Sequence, residues 1–228
     1  MLTHGIPIHF APFQTTFHSC IYMIHPHTEL QFISDEIGFG VVATQLIPKG
    51  TITWVLDDLD QEFTPKQFSK MPPRMKQMLD FYTYRNNKGN FVLCWDHARF
   101  VNHSFNSSCL STCYDFEFAI RDIHPGEQLT DDYGYLNTTE PFKAVDEGTK
   151  RKIVYPDDLL RMSNEWDKVL REVFPLMLQV KQPLMDLLPE NTRRKAEKVA
   201  LGKTPMDSIG KNYYPGPTIQ SANGHIKL

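Results

Sequence analysis

The sequence predicts a β-rich α+β fold, with a body of short strands followed by a helical C-terminal portion. Three observations carry this expectation. Short β-prone runs alternate with Gly- and Pro-bearing turns as far as about residue 135. From about residue 155 the apolar residues recur at helical spacing instead. An apolar content of 41% against 22% charged residues, over 228 residues, suits one large domain with a sizeable core.

The elements follow in order. "ELQFIS" (29–34) reads as a strand, "DEIGFG" (35–40) as a turn, "VVATQLI" (41–47) as a strand, "PKG" as a turn and "TITWVL" (51–56) as another strand. Proline is tolerated at a first helical position, so Pro65 and Pro73 start short helices over about 65–70 and 73–80. "RNNKGNFVLCW" forms a hairpin around Asn87–Lys88–Gly89. Strands resume at "YDFEFAIRDI" (114–123), turn at "HPGE", and continue through "QLTDDYGYL" (128–136). "VATQLIPKGTITW" and "FAIRDIHPGEQLT" share a layout of Ala, an aliphatic, Pro and Gly, then a β-prone run. This is either an internal echo or the ordinary use of Pro and Gly in turns.

Beyond residue 155, Pro156–Asp157 starts a helix whose apolar positions are Leu159, Met162, Trp166, Val169, Leu170 and Val173. Pro175 and Pro183 interrupt the next apolar stretch. "NTRRKAEKVALGK" is a short basic helix capped by Asn191 or Thr192, and the tail from Thr204 is loop or poorly ordered.

Charge is uneven: net −6 over residues 1–138 and net +3 over 139–228. The overall −3 gives no argument for nucleic acid or membrane as main partner, while the acidic front half suits a basic one. Four cysteines in a chain this long make no disulfide framework, which favours a reduced, intracellular setting. No run of eighteen apolar residues spans a membrane, and the N-terminus lacks a basic start and apolar core, so a soluble cytoplasmic or nuclear protein is expected. His18, Cys20, His25 and His27 cluster without a standard zinc spacing, and Cys109 and Cys113 read as core thiols. The expected metal content is none.

Three stretches then fall into one pattern: "IGFGVVAT" (37–44), "RFVNHSF" (99–105) and "GEQLTDDYGY" (126–135). In this order they resemble the SET-domain protein lysine methyltransferases. The resemblance implies a SET-domain β-clip with the last two motifs knotted side by side, S-adenosyl-L-methionine as methyl donor, and a protein substrate whose target lysine enters from the opposite face. A histone or other basic protein fits the acidic body. It divides the chain into an N-terminal extension (1–30), a SET domain (31–138), a helical appendage (139–203) and a loop-rich tail (204–228).

By the same resemblance Gly38, Phe39, Gly40, Asn102, His103 and Tyr133 contact the donor. Tyr133 is the catalytic residue, its hydroxyl orienting the donor methyl. Tyr82 and Tyr135 wall the lysine channel, Tyr135 sharing a strand face with Tyr133. Aromatic walls suit the alkyl stem and cationic head of lysine. Phe39, Trp54 and Tyr84 are weighed as further borders of that channel and read as core instead.

Departures from the family pattern are specific. Phe105 stands where zinc-binding members carry a Cys, and no Cys follows Cys113, which excludes a zinc cluster after the domain. The helical appendage or "NYYPGP" must then cover the channel. Ser107–Ser108 replace the usual Pro-Asn. Asp131 replaces an aromatic or small apolar residue two positions before the catalytic Tyr, leaving the number of methyl groups open and putting a carboxylate near the substrate amine or the Asn102 loop. The alternative is a catalytically silent SET module that binds the donor or protein partners.

Overall fold

The structure, a computed structural model, describes residues 24–216. His18 and Cys20 lie outside that range, as do residues 1–23 of the N-terminal extension. The described elements are β1 (Thr28–Ser34), β2 (Gly38–Ala43), β3 (Ile52–Val55), β4 (Gln61–Phe63), α1 (Pro65–Ser69), α2 (Pro73–Tyr82), β5 (Thr83–Arg85), β6 (Phe91–Leu93), β7 (Asn102–His103), β8 (Cys109–Ser111), β9 (Phe116–Ala119), β10 (Thr130–Asp131), β11 (Phe142–Lys143), β12 (Ile153–Val154), α3 (Asp158–Val173) and α4 (Glu190–Ala200). They form small sheets: β1 with β2, β3-β9-β8, β4-β6-β5, β11 with β12, and β10 with β7. The β7–β10 pair is parallel, with Asn102 opposite Thr130 and His103 opposite Asp131, while the others are antiparallel. The architecture is the expected α+β mixture.

Local chemistry explains the elements. Thr64 and Gln67 form a reciprocal capping box that starts α1 at Pro65, and Pro73 opens α2. The hairpin around Asn87–Gly89 joins β5 to β6 as expected. The two echoed segments prove to be partners, related by an approximate twofold. Ile47 and Ile123 exchange both backbone hydrogen bonds at 2.9 Å. Gly50 N donates to Ala119 O, and Gly126 N to Ala43 O, each at 2.8 Å. Gly50 and Gly126 adopt φ of +91° and +86°, which only glycine takes without strain. The recurrence of Pro and Gly is thus paired geometry as well as turn chemistry.

The helices share the body's core. Leu159, Trp166, Leu170 and Val173 of α3 cluster with Ile52 and Val55 of β3, Leu110 of β8 and Phe116 and Phe118 of β9. Burying each such aliphatic side chain contributes about 1.5–3 kcal/mol. Gln182 locks the junction, its Nε2 donating to Gly50 O at 2.7 Å and its Oε1 accepting from Ile52 N at 2.8 Å. A second cluster joins Val41, Ala43, Trp54, Cys94, Cys109, Ile123 and Leu129. Cys109 sits in this second cluster, whereas Cys113 packs against the first; both are free thiols.

Several local expectations need correction. "VVATQLI" leaves the strand at Ala43, because the chain turns there toward Gly126 and Glu127. Asn191 and Thr192 lie inside α4, whose cap position is Pro189. The tail is well seated through residue 216: Ile209 is buried, Ile209 N donates to Asp167 Oδ1 at 2.8 Å, and Tyr214 N donates to Asn137 Oδ1 at 2.9 Å. "QLTDDYGYL" does not continue as a strand. Asp132 Oδ1 accepts from Gly134 N at 3.0 Å and coils Tyr133–Tyr135 into a 3-10 turn. Tyr133 and Tyr135 therefore do not share a face.

Among the described residues no helix is long and apolar enough to cross a membrane. The basic run of α4 is engaged within the chain: Arg194 with Glu190, Lys195 with Asp207 at 2.5 Å and Arg193 with Asp186 at 3.7 Å.

Candidate functional site

A cavity of about 1160 Å³ opens where β2, α2, β3, β9 and the β7–β10 junction converge. That volume suits a nucleoside-sized ligand together with an extended side chain. Every candidate site residue except Gly40 and His103 lines it: Gly38, Phe39, Tyr82, Asn102, Tyr133 and Tyr135.

The β2 end is closely built. Asn102 Nδ2 donates to Phe39 O at 3.1 Å and to Gln128 Oε1 at 2.9 Å, tying the glycine-bearing strand to the motif strand. A Cβ on Gly40 would lie 2.4 Å from Gln128 Oε1 and 2.8 Å from Asn102 Nδ2, so this glycine is required by the protein's own hydrogen-bond network. Gly38 differs: it needs positive φ (+81°), and no atom lies within 4 Å of where its Cβ would be. Phe39 is half exposed and meets Phe100 edge-on, and Phe100 in turn meets Tyr82 at 5.5 Å.

Tyr133 stands at the junction of the two motifs. Its hydroxyl donates to Val101 O at 2.6 Å, and its N–H donates to His103 Nδ1 at 3.1 Å. Burial, with the Asp131 charge adding, pushes its phenol well above the ordinary range, so it stays protonated at neutral pH. His103 is held among Phe105, Tyr133 and Phe142, and its buried Nε2 has no partner among the described residues. Burial lowers its pKa, which keeps the imidazole neutral. His25 is likewise held neutral, lowered to about 4, and meets His27 edge-on at 5.0 Å.

A short hairpin and an ion-pair bridge lie beside the motif segment. Phe142 of β11 lines the cavity beside His103 and Tyr133. Glu147 accepts from Ser104 Oγ and from Phe105 N, both at 3.0 Å. Arg151 stacks over the Phe105 ring at 4.6 Å and bridges Asp132 to Asp158 at the start of α3. Asn212 also lines the cavity, so the β11–β12 hairpin and the tail border it rather than α3.

The sequence marks Tyr135 and Asp131 in the cavity lining but misses Trp54, Tyr84 and Glu117. Trp54 and Tyr84 line the cavity together with Tyr135, whose ring also meets Trp166 at 5.5 Å in the core. Glu117 of β9 lies opposite Trp54 across the sheet and lines the same space, as does Asp131. A glutamate flanked by Phe116 and Phe118 on an otherwise apolar strand was the available signal. Cys109, Glu117 and Asp131 are the described residues that could cluster on a metal, their ligand atoms lying within 4.8 Å of one another.

One comparison with known families agrees with the motif pattern. Residues 38–134 match the sequence profile of the SET domain. No curated protein sequence matches the chain. A crystal structure of a Plasmodium falciparum protein described as a candidate histone methyltransferase aligns with a TM-score of 0.36 at 16% identity, over 47% of this chain and 92% of that one.

Proposed function

With residues 38–134 a SET domain, we propose that the protein is an S-adenosylmethionine-dependent protein-lysine N-methyltransferase. The observation that carries the reading is the position of Tyr133, in the cavity at the parallel β7–β10 junction, with its hydroxyl anchored 2.6 Å from Val101 O. Such side-by-side motif strands are what the knotted arrangement of the family requires.

The residues present fit the donor. The open side of Gly38, the Phe39 ring and Asn102 offer an apolar wall beside polar groups, and they would hold it. When bound, the donor supplies an electrophilic methyl on a sulfonium. The chain's own contribution is positioning. Tyr133, held by Val101 O and by the His103 contact to its N–H, presents a fixed hydroxyl oxygen that can receive weak C–H···O contacts. It stays protonated, so it does not act as the general base. Tyr82, Trp54, Tyr84 and Tyr135 would wall the lysine stem, exclude water and lower the amine's pKa by desolvation. Alignment of two bound reactants can supply several kcal/mol.

The test uses labelled donor with histones or a cell lysate. Transfer to lysine is expected, and Tyr133→Phe is expected to slow it roughly 100-fold, the scale of a misaligned reacting pair. Transfer at full rate in the variant would remove Tyr133 from the mechanism. Donor binding without any methylation would leave a silent module.

A further inference from the structure

Glu117 and Asp131 are 7% and 6% exposed, and their carboxylate oxygens lie within 4.8 Å of each other. Among the described residues no Lys or Arg pairs with either. Ser111 Oγ donates to Glu117 at 2.9 Å, but no partner reaches Asp131 Oδ1 or the Tyr135 hydroxyl. The other charges acting on the pair are acidic, Asp132 on Asp131 and Asp96 on Glu117, and the buried thiol of Cys109 lies alongside. Burial, with the Asp131 charge adding, holds Glu117 well above the ordinary carboxyl range, and burial raises Asp131 to about 6 against the neighbouring Tyr135 hydroxyl and Glu117 carboxyl, which lower it; near neutral pH the pair keeps one proton and one negative charge.

An unpaired buried charge is costly, and a cation that reaches it offsets part of that cost. Both residues are among those lining the cavity, as are Trp54, Tyr84, Tyr133 and Tyr135. Aromatic faces around a carboxylate suit an organic ammonium. A metal ion would also need Cys109, which does not line the cavity.

We propose that Glu117 and Asp131 are the receiving site for the substrate's ammonium group and accept its proton before methyl transfer. This rests on the methyltransferase reading above. In the proton step one N–H bond of the ammonium breaks and an O–H bond forms on Asp131. The electron pair of that N–H bond stays on nitrogen as the lone pair that attacks the methyl carbon. Both carboxyls are then protonated, the state their burial favours, and one proton returns to solvent after the methylated ammonium leaves.

The experiment titrates n-butylammonium, a truncated lysine side chain, and neutral n-butanol against the wild type, Glu117→Gln and Asp131→Asn by NMR near neutral pH. S-adenosylhomocysteine is titrated in parallel. Binding of n-butylammonium by the wild type is expected to weaken about tenfold or more in Asp131→Asn, the scale of a lost charge-assisted contact, and less in Glu117→Gln, with n-butanol binding unchanged. Both variants keep side-chain shape, and Asp131→Asn removes the buried charge, so melting temperatures that do not fall will show that they fold. Equal n-butylammonium binding by wild type and variants, or none by wild type, overturns the proposal. So does zinc binding that stabilises the wild type, spares Asp131→Asn and displaces n-butylammonium. Ammonium selectivity without S-adenosylhomocysteine binding would keep the amine site and sink the methyltransferase reading instead.

Discussion

Asp131 and Asp132 are consecutive, both buried, and built into opposite environments. Asp132 accepts from Gly134 N and faces Arg151, which also reaches Asp158. Burial still holds its carboxyl above the ordinary range, but the guanidinium and the N–H oppose that effect. Asp131 turns the other way, onto Glu117, with one oxygen that has no hydrogen-bond partner among the described residues. The first carboxylate fastens the β11–β12 segment and α3 to the motif turn. The second adds nothing to the fold that an amide could not supply. A buried acid whose cation is part of the chain is architecture, and one beside an aromatic-lined cavity is what the proposed amine site rests on.

The largest expected effect breaks the first half of that comparison. Arg151→Met leaves Asp132 and Asp158 buried with no counter-charge and is expected to cost roughly 3–5 kcal/mol in denaturant unfolding. A loss under 1 kcal/mol would make the bridge a surface ornament.

The next effect has the opposite sign. Asp131 is raised from the ordinary 3.8 to about 6 in the folded protein. The folded state therefore holds a proton the unfolded chain has released between those values. The resulting stability is present below the lower value and is lost as pH rises through the upper one. Asp131→Asn removes this loss, so the variant is expected to exceed the wild type by on the order of 2–3 kcal/mol above pH 7, with the gap closing toward pH 4. Matched stability curves across that range would show that Asp131 has a counter-charge after all.

The smallest effect sharpens the second half. Ser111→Ala removes the hydrogen bond to Glu117 and is expected to cost about 1 kcal/mol, while raising the proton affinity of the pair. Infrared carboxyl bands would register that shift.

Much of the fold was legible from local chemistry. Pro65, Pro73 and the Asn87–Gly89 turn placed α1, α2 and the β5–β6 hairpin, because start signals and turn residues act within a few positions of themselves. The α3 stripe was legible because its apolar spacing survives into burial at Leu159, Trp166, Leu170 and Val173. The site was legible in part, through motifs whose order marks Gly38, Phe39, Asn102 and Tyr133, and all of these line the cavity. Tyr135 was placed beside Tyr133 on a strand. A single side-chain cap from Asp132 coils that segment, and period-two reasoning fails there.

The amino-acid sequence by itself determined the run of elements, the two glycine turns that pair across the molecule, and the identity of the motifs. These depend on backbone preference and short-range periodicity, which are properties of neighbouring residues. Tertiary structure decided which acid receives a cation from the chain and which is left without one beside the cavity. Arg151 is nineteen positions from Asp132, and Glu117 reaches Asp131 from a different sheet. Charge compensation in a low-dielectric interior depends on distance through space, and no pattern along the chain encodes that.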